Sequence, residues 1–291
     1  MDNIRVAIGV DMGGTNIRVA KISSSGQILG QISDHVPHGR DEQIAIIHNS
    51  VQRMMTADVQ AVGFGFPGRL RIDDGIVRSA GYLDLIGIPL LTILKEQTGL
   101  PVFVDSDSNM AAFAEINIGA GVGKKEVVML TIGTGIGGAI ITGGKLFYAS
   151  GFSPQLGHLT VDMNGDLCTC GRRGCVETTS SGTSLQNLIA KSSLPKNIQA
   201  EDLLIMEKNG DLIAREIVRK WAHPLRLAID SIVATIGCEL VLLSGGLGKA
   251  ACEALLQVTS CESPWLNYEI KPGKLGDKAG IIGAGLRALQ E

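Results

Sequence analysis

One imidazole and three thiols fall within a short stretch of the chain, in the spacing His158-x9-Cys168-x-Cys170-x4-Cys175. Four such ligands complete a tetrahedral set with no open position, so the spacing predicts a structural Zn2+ that fixes a loop and takes no direct part in chemistry. Gly171 and Gly174 supply the turns that such a loop needs. A second group comprises three glycine-rich turns: Gly13-Gly14-Thr15, Gly133-Thr134-Gly135 and Gly245-Gly246. Phosphates require close backbone approach and unhindered N–H donors, which glycine turns offer and a threonine hydroxyl extends. A fold that faced the first two turns together would make a two-sided phosphate clamp. Asp11, directly before the first, would hold Mg2+ through water, and a nucleoside could lie against the bare backbone at Gly245 and Gly246. Each turn alone is equally suited to a tight hairpin, and no Walker A sequence is present. Asp105 and Asp107, in Asp105-Ser106-Asp107-Ser108-Asn109, are rival carboxylates for general-base work, and either could simply cap the helix that follows.

These residues need elements to hold them. Arg5 to Val10 and Asn16 to Ile22 read as strands around the first turn. Val127 to Thr131 and Ala139 to Thr142 repeat the plan around the second. A strand, glycine turn and strand recurring about 120 residues apart suggests two similarly built halves. Between and after them, helical spacing over 41–55, 90–98, 108–118, 225–236 and 280–290 alternates with strands at 61–66, 101–104 and 240–243, which implies an α/β fold. The glycines of 119–125 mark the candidate domain junction. That gives an N-terminal domain over 1–118, completed by a helix at 278–291, and a C-terminal domain over 119–277.

Composition narrows the classes. The chain has 291 residues, 45% hydrophobic and 19% charged, enough for a sizeable core and too apolar for a disordered chain. Its 38 glycines are nearly twice the usual share of about 7%. A net charge of −3 gives no basic footprint for nucleic acid. The uncharged run 127–144 approaches membrane-span length, but its six glycines and three threonines suit a strand–turn–strand better, so no membrane partner is expected. The first residues, Met1 to Arg5, lack the features of a signal peptide, which points to the cytoplasm. Cys238, Cys252 and Cys261 are scattered and suggest no disulfide framework. Trp221 and Trp265 read as core or interface packing.

Taken together, Asp11 to Thr15, Gly133 to Gly138, and the Gly-His…Cys-x-Cys-Gly-x-x-Gly-Cys-x-Glu signature from Gly157 to Glu177 resemble the sugar kinases of the ROK family, within the actin–hexokinase–heat-shock-protein superfamily. The resemblance covers essentially the whole chain. It implies a two-domain ribonuclease-H-like, actin-like ATPase fold with an interdomain cleft, ATP and Mg2+ as cofactors, a small-molecule sugar as substrate, and a homodimer. It also selects Asp107 as the base that accepts the proton of the attacking hydroxyl. Gly68, Arg69, His158 and Glu177 become sugar-contacting positions, with zinc holding His158 and Glu177 in place.

The chain departs from the family pattern in the sugar pocket. Gln155 stands where most relatives have glutamate, Ser106 where an asparagine usually precedes the base, and Gly81 at the usual contact in the 79–83 loop. An amide accepts and also donates hydrogen bonds, so these changes bear on which sugar binds and leave the phosphoryl-transfer parts intact. The resemblance ranks phosphorylation of the 6-hydroxyl of a hexose or N-acetylhexosamine first, with N-acetylmannosamine the leading acceptor. Glucokinase, fructokinase or polyol kinase activity and a non-catalytic sugar-binding relative are the alternatives. Transcriptional regulators of the family carry a helix-turn-helix before the first motif, whereas here the hairpin begins by residue 5. Stripping zinc is expected to weaken sugar binding with little direct effect on nucleotide.

Overall fold

The computed structural model describes residues 4–81, 83–257 and 264–290; Cys261 and the start Met1 to Asn3 lie outside the described residues. In chain order the elements are β1 (Val6–Met12), β2 (Asn16–Ser23), β3 (Ile28–His35), α1 (Arg40–Met54), β4 (Val59–Phe66), β5 (Arg69–Leu70), β6 (Val77–Ser79), α2 (Leu90–Thr98), β7 (Val102–Ser106) and α3 (Asp107–Ile118). They continue with β8 (Val127–Ile132), β9 (Ile136–Thr142), β10 (Lys145–Leu146), α4 (Val176–Ser180), α5 (Gly182–Ala190), α6 (Ala200–Lys208), α7 (Leu212–Ile236), β11 (Leu240–Ser244), α8 (Gly248–Leu255), β12 (Glu269–Pro272) and α9 (Ala279–Ala288). Two compact units result: Met1–Gly123 with Leu146–Pro154 and Lys278–Glu291, and Lys124–Lys145 with Gln155–Asp277.

The first unit is built on a five-stranded sheet in the order β3-β2-β1-β4-β7. β1 pairs antiparallel with β2 and parallel with β4, and β4 pairs parallel with β7. Every residue of the central strand β1 is buried, whereas β3 at the edge alternates between partly and fully exposed positions. That contrast follows from covering a sheet on both faces at its centre while its edge meets water. The two faces of β1 differ in residue size. Val6, Ile8, Val10 and Met12 pack with Ile47 and Val51 of α1 and Leu90 and Leu94 of α2. Ala7 packs with Ala61, Ala288 and Leu289 on the other face. There the glycines let backbone touch backbone: a Cβ on Gly9 would stand 2.1 Å from the Ile281 carbonyl oxygen, and one on Gly63 would stand 1.9 Å from that of Ala284.

The second unit repeats the plan with a sheet in the order β10-β9-β8-β11-β12. β8 and β9 form the antiparallel hairpin, and β11 joins β8 and β12 in parallel. The two halves suggested by the recurring hairpin are therefore present, and the 127–144 run is a sheet hairpin. Among the described residues no helix is long and apolar enough to cross a membrane.

The main departure from the sequence reading is α7, which begins at Leu212 and runs 25 residues with Pro224 inside it. A proline in a helix interior costs about 3 kcal/mol, which argues for a start near 225. The apolar stripe through Ala214, Ile217, Val218, Trp221, Ala222 and Leu225 crosses the proline, however, and its burial outweighs that cost. Asp211 caps the true start by accepting from the N–H groups of Ile213 and Ala214. Trp221 sits in this core and donates its indole N–H to the Ser181 carbonyl at 3.0 Å. Trp265 is not core; it is 90% exposed.

A methyl group placed at Gly63 has nowhere to go but into the backbone of α9. Gly63→Ala should therefore cost about 1–3 kcal/mol of stability by overpacking, read as a lower urea midpoint. An unchanged midpoint would mean that the helix does not lie directly on β4.

Candidate active site

β1 and β7 end at the same edge of the first sheet, and each delivers a carboxylate there. Asp11, 9% exposed, is the penultimate residue of β1 and shares the small-residue face of Ala7 and Gly9. It consequently reaches the first turn of α9, where a Cβ on Gly280 would stand 3.2 Å from the carboxylate. Arg18 of the paired strand β2 forms an ion pair with Asp11 at 2.6 Å. Gly13 closes the hairpin tip by donating to the Asn16 carbonyl at 2.8 Å, and Gly14 and Thr15 are exposed beside it.

The strand-to-helix junction β7–α3 separates the roles of its two aspartates. Neither caps the helix. Ser106 does so, accepting from the Asn109 N–H at 3.2 Å through a side chain that is almost fully buried. Asp105, 0% exposed, is saturated. It accepts from the Tyr148 hydroxyl at 2.7 Å, from Asn109 Nδ2 at 3.1 Å on both oxygens, and from the Ser106 N–H at 2.6 Å. Burial pushes its carboxyl up to about 6, against the pull of these donors and of the Arg287 charge. Arg287 is held over the Phe103 ring, 4.1 Å from its centroid.

Asp107 is only half-buried and, among the described residues, accepts from its neighbour Ser108, through N–H at 2.6 Å and Oγ at 3.1 Å. Burial first, and then the negative charge of Asp11, push it up to about 7, although the Ser108 hydrogen bonds oppose the rise. A carboxylate that is accessible and balanced between its two forms near neutrality can exchange a proton, whereas the saturated Asp105 cannot do so without breaking its network.

Tyr148 is the functional residue that sequence reasoning missed. It lies on the 146–154 segment, which belongs to the first unit although it follows β10, and its partner is 43 positions away. Burial and the Asp105 charge raise its phenol well above the ordinary value, so it remains a donor. Phe152 of the same segment lies under the Arg69 guanidinium, 3.9 Å from ring centroid to Cζ. Gly68 takes φ +146° where a side chain would strike the Ser79 carbonyl at 2.4 Å, and Gly81 takes φ +55° in open space.

In the second unit the two remaining glycine turns converge. A Cβ on Gly245 would stand 2.6 Å from the carbonyl of Ile132, the residue before Gly133, and Leu247 donates its N–H to that carbonyl at 3.0 Å. The Gly133 carbonyl accepts from the Gly182 N–H at 2.8 Å, and that of Thr134 from the Thr183 hydroxyl at 2.8 Å. Gly246 has no neighbour within 4 Å of a notional Cβ, so its backbone is open to a ligand.

The metal candidates also meet in this unit. One ligand atom from each of His158, Cys168, Cys170 and Cys175 lies within 4.8 Å of the others. Cys168 Sγ is 3.5 Å from His158 Nδ1, and Cys170 Sγ is 3.6 Å from Cys175 Sγ. A zinc with Zn–S bonds of about 2.3 Å places its ligands about 3.8 Å apart, so the set fits that ion. The loop is folded for the purpose: Gly174 takes φ +68° where a Cβ would collide with the Asp162 carbonyl at 1.5 Å. Gln155, exposed, opens the short helical turn Leu156–His158 that aims the imidazole. Glu177 follows the last cysteine, and its carboxylate accepts from the Ile136 N–H at 2.9 Å, beside Gly135.

Removing one donor from the buried Asp105 should be costly. Tyr148→Phe is expected to lose about 1–3 kcal/mol of stability, measured by urea denaturation, because a buried carboxylate is left short of a partner. A neutral effect would show that the 146–154 segment does not depend on this contact.

Known proteins share this architecture. The chain is 32% identical to a glucokinase of Thermotoga maritima, with 95% of each chain covered, and 30% identical to an N-acetylmannosamine kinase of Shigella boydii, with 98% of each covered. Its structure is similar to that of a ROK family glucokinase from Streptomyces griseus in complex with glucose and AMPPNP, with a TM-score of 0.84 at 28% identity and coverage of 98% and 100%. The ROK family profile matches residues 7–291, nearly the full length, and this chain therefore belongs to the ROK family, as one of its sugar kinases.

Proposed function

We propose that the protein transfers the γ-phosphoryl group of ATP to the 6-hydroxyl of a hexose or N-acetylhexosamine, with Asp107 as the general base. The observation that carries this reading is the contrast at the β7–α3 junction: Asp105 is consumed by Tyr148, Asn109 and Ser106, while Asp107 is partly open and poised near neutrality. ATP supplies the phosphoryl group when bound, and Mg2+ neutralises its charge. In the first unit, Asp107 accepts the proton of the attacking hydroxyl, and Asp11 is the carboxylate available to a hydrated cation. Asp11 raises the Asp107 carboxyl even though Arg18 pairs with it, so the two carboxylates lie close enough to feel each other, and a divalent cation suits such a pair. In the second unit, the exposed tip of the turn at Thr134, which the Gly133 N–H closes by donating to the Gly135 carbonyl at 3.0 Å, and the bare backbone of Gly246 suit phosphates and a nucleoside. Zn2+ would sit among His158, Cys168, Cys170 and Cys175 and hold the loop that carries Gln155 and Glu177.

N-acetylmannosamine is the acceptor to test first. A carboxylate at position 155 could only accept hydrogen bonds, whereas the Gln155 amide can pair reciprocally with an acetamido group, donating to its carbonyl and accepting from its N–H. Glucose is the second reading, because a relative named glucokinase shares 32% identity. Coupled ADP release across N-acetylmannosamine, N-acetylglucosamine, glucose, mannose and fructose separates them. Gln155→Glu is expected to shift preference away from the acetamido sugars, and an unchanged ranking would remove Gln155 from the specificity set.

Asp107→Asn should lower kcat by about 10²–10⁴-fold while sugar binding persists, as expected for loss of a general base. The base must be ionised to work, and its pKa is raised from 3.8 to about 7. In wild type kcat/KM should therefore fall as pH drops below about 7, close to tenfold per pH unit, and level off above it. A flat profile between pH 5 and 8 would contradict the assignment.

A further inference from the structure

Glu177 stands between the two features of the second unit that sequence reasoning treats separately. One carboxylate oxygen accepts from the Ile136 N–H at 2.9 Å, at the point where the Gly133–Gly135 turn re-enters the sheet as β9. The other lies 3.9 Å from the sulfur of Cys168. The absence of a side chain at Gly135 makes room for it, since a Cβ there would stand 2.4 Å from Oε2 of Glu177. The backbone running on from Glu177 grips the same turn from its other side, through Gly182 on the Gly133 carbonyl and Thr183 on that of Thr134. The segment from Cys175 to Thr183 thus begins at a metal ligand and ends at the turn, with α4 between them. Every contact lies within one compact unit.

We infer that Glu177 is a positioning residue for the glycine turn at 133–135, and that metal bound by His158, Cys168, Cys170 and Cys175 sets nucleotide affinity through it. The inference rests on the reading of that turn as a nucleotide phosphate site. Its physical basis is pre-organisation. A glycine turn is free to rotate its amides away from a phosphate, and binding must then offset the entropy of aligning them. A carboxylate anchored at the start of α4 and hydrogen-bonded to the amide of Ile136 removes part of that freedom before the ligand arrives. Losing the metal frees Cys175, two residues before Glu177 in the chain, and Cys168, 3.9 Å from its carboxylate, and so loosens the strut. On this view zinc removal acts on nucleotide binding directly, contrary to the expectation drawn from sequence, which confined it to the sugar.

The test is calorimetric titration of MgADP, in the absence of sugar, into the zinc-loaded protein, the chelator-stripped protein, Glu177→Ala and Glu177→Gln. Zinc content of each sample is measured alongside. Loss of a charge-assisted contact of this kind should weaken MgADP binding about tenfold in Glu177→Ala, with zinc retained. Stripping wild type should have a comparable effect, reversed by adding zinc back. Glu177→Gln keeps a carbonyl oxygen for the Ile136 amide and should stay within about threefold of wild type. Stripping Glu177→Ala should cause little further loss, since both changes remove the same support. Unchanged affinity in Glu177→Ala and in stripped wild type would overturn the strut, as would losses that multiply. If zinc-loaded wild type fails to bind MgADP at all, the nucleotide reading of the turn falls and takes the strut with it.

Discussion

The contact on which the first unit depends is that of helix α9 with its sheet, made through backbone atoms. β1 and β4 place Ala7, Gly9, Ala61 and Gly63 on one face, and α9 answers with the backbone of Ile281, Ala284 and Gly285. Side chains normally hold a helix about 10 Å from a sheet, and removing them brings carbonyl oxygens to van der Waals range of the strand backbone. The opposite side of α9 is equally tight against α3, where a Cβ on Gly283 would stand 1.7 Å from the Met110 carbonyl. A helix so confined cannot tilt or slide. Its first turn is therefore fixed at Asp11, and α3, pressed on the same helix, fixes Asp107.

That rigidity gives the carboxylates their separate characters. All three sit at the ends of adjacent or nearby strands of one sheet, and identical chemistry would leave them interchangeable. Among the described residues Asp11 has an arginine, Asp105 has a phenol, an amide and a backbone N–H, and Asp107 has the serine beside it. Environment, and not residue type, decides which of them holds its proton near neutrality. Burial raises both Asp105 and Asp107, but the donors on Asp105 hold it to about 6, while Asp107, with the Asp11 charge added, stands at about 7.

What could be read in the sequence follows the range of each interaction. The metal ligands span a short local loop, and the hairpins around Gly13 and Gly133 are formed by neighbours in the chain, so residue type and spacing suffice for them. The edge strand β3 was not anticipated, because Gly30, Gln31, Ser33 and Asp34 blur its alternation, and its exposed pattern supplies little apolar signal. Pro224, a strong local breaker, hides the first half of α7 from its local sequence, and the buried stripe around Trp221 is why the helix continues through it. The cap at Ser106 resolved a choice that spacing left open, since Asp105, Ser106 and Asp107 are all good capping types. Tyr148 carries no local signal, because its partner Asp105 lies 43 positions away in the chain, within the same unit.

The two sheets share a strand order but carry different loads, and the difference follows charge. The first collects carboxylates at its strand ends, which suits proton transfer and a hydrated cation and would repel a bare phosphate. The second presents the exposed Thr134 at the corresponding hairpin tip and keeps the carboxylate of Glu177 turned onto the Ile136 amide. A carboxylate pointing freely at that tip would oppose an anionic ligand. Glu177 is instead bound to the backbone behind the turn, its other oxygen 3.9 Å from Cys168 of the cysteine–histidine cluster, so it does not point freely at the tip. One sheet plan occurs twice with two similar hairpins, and the side chains placed behind each tip differ: Asp11 with Arg18 behind the first, Glu177 on the Ile136 amide behind the second.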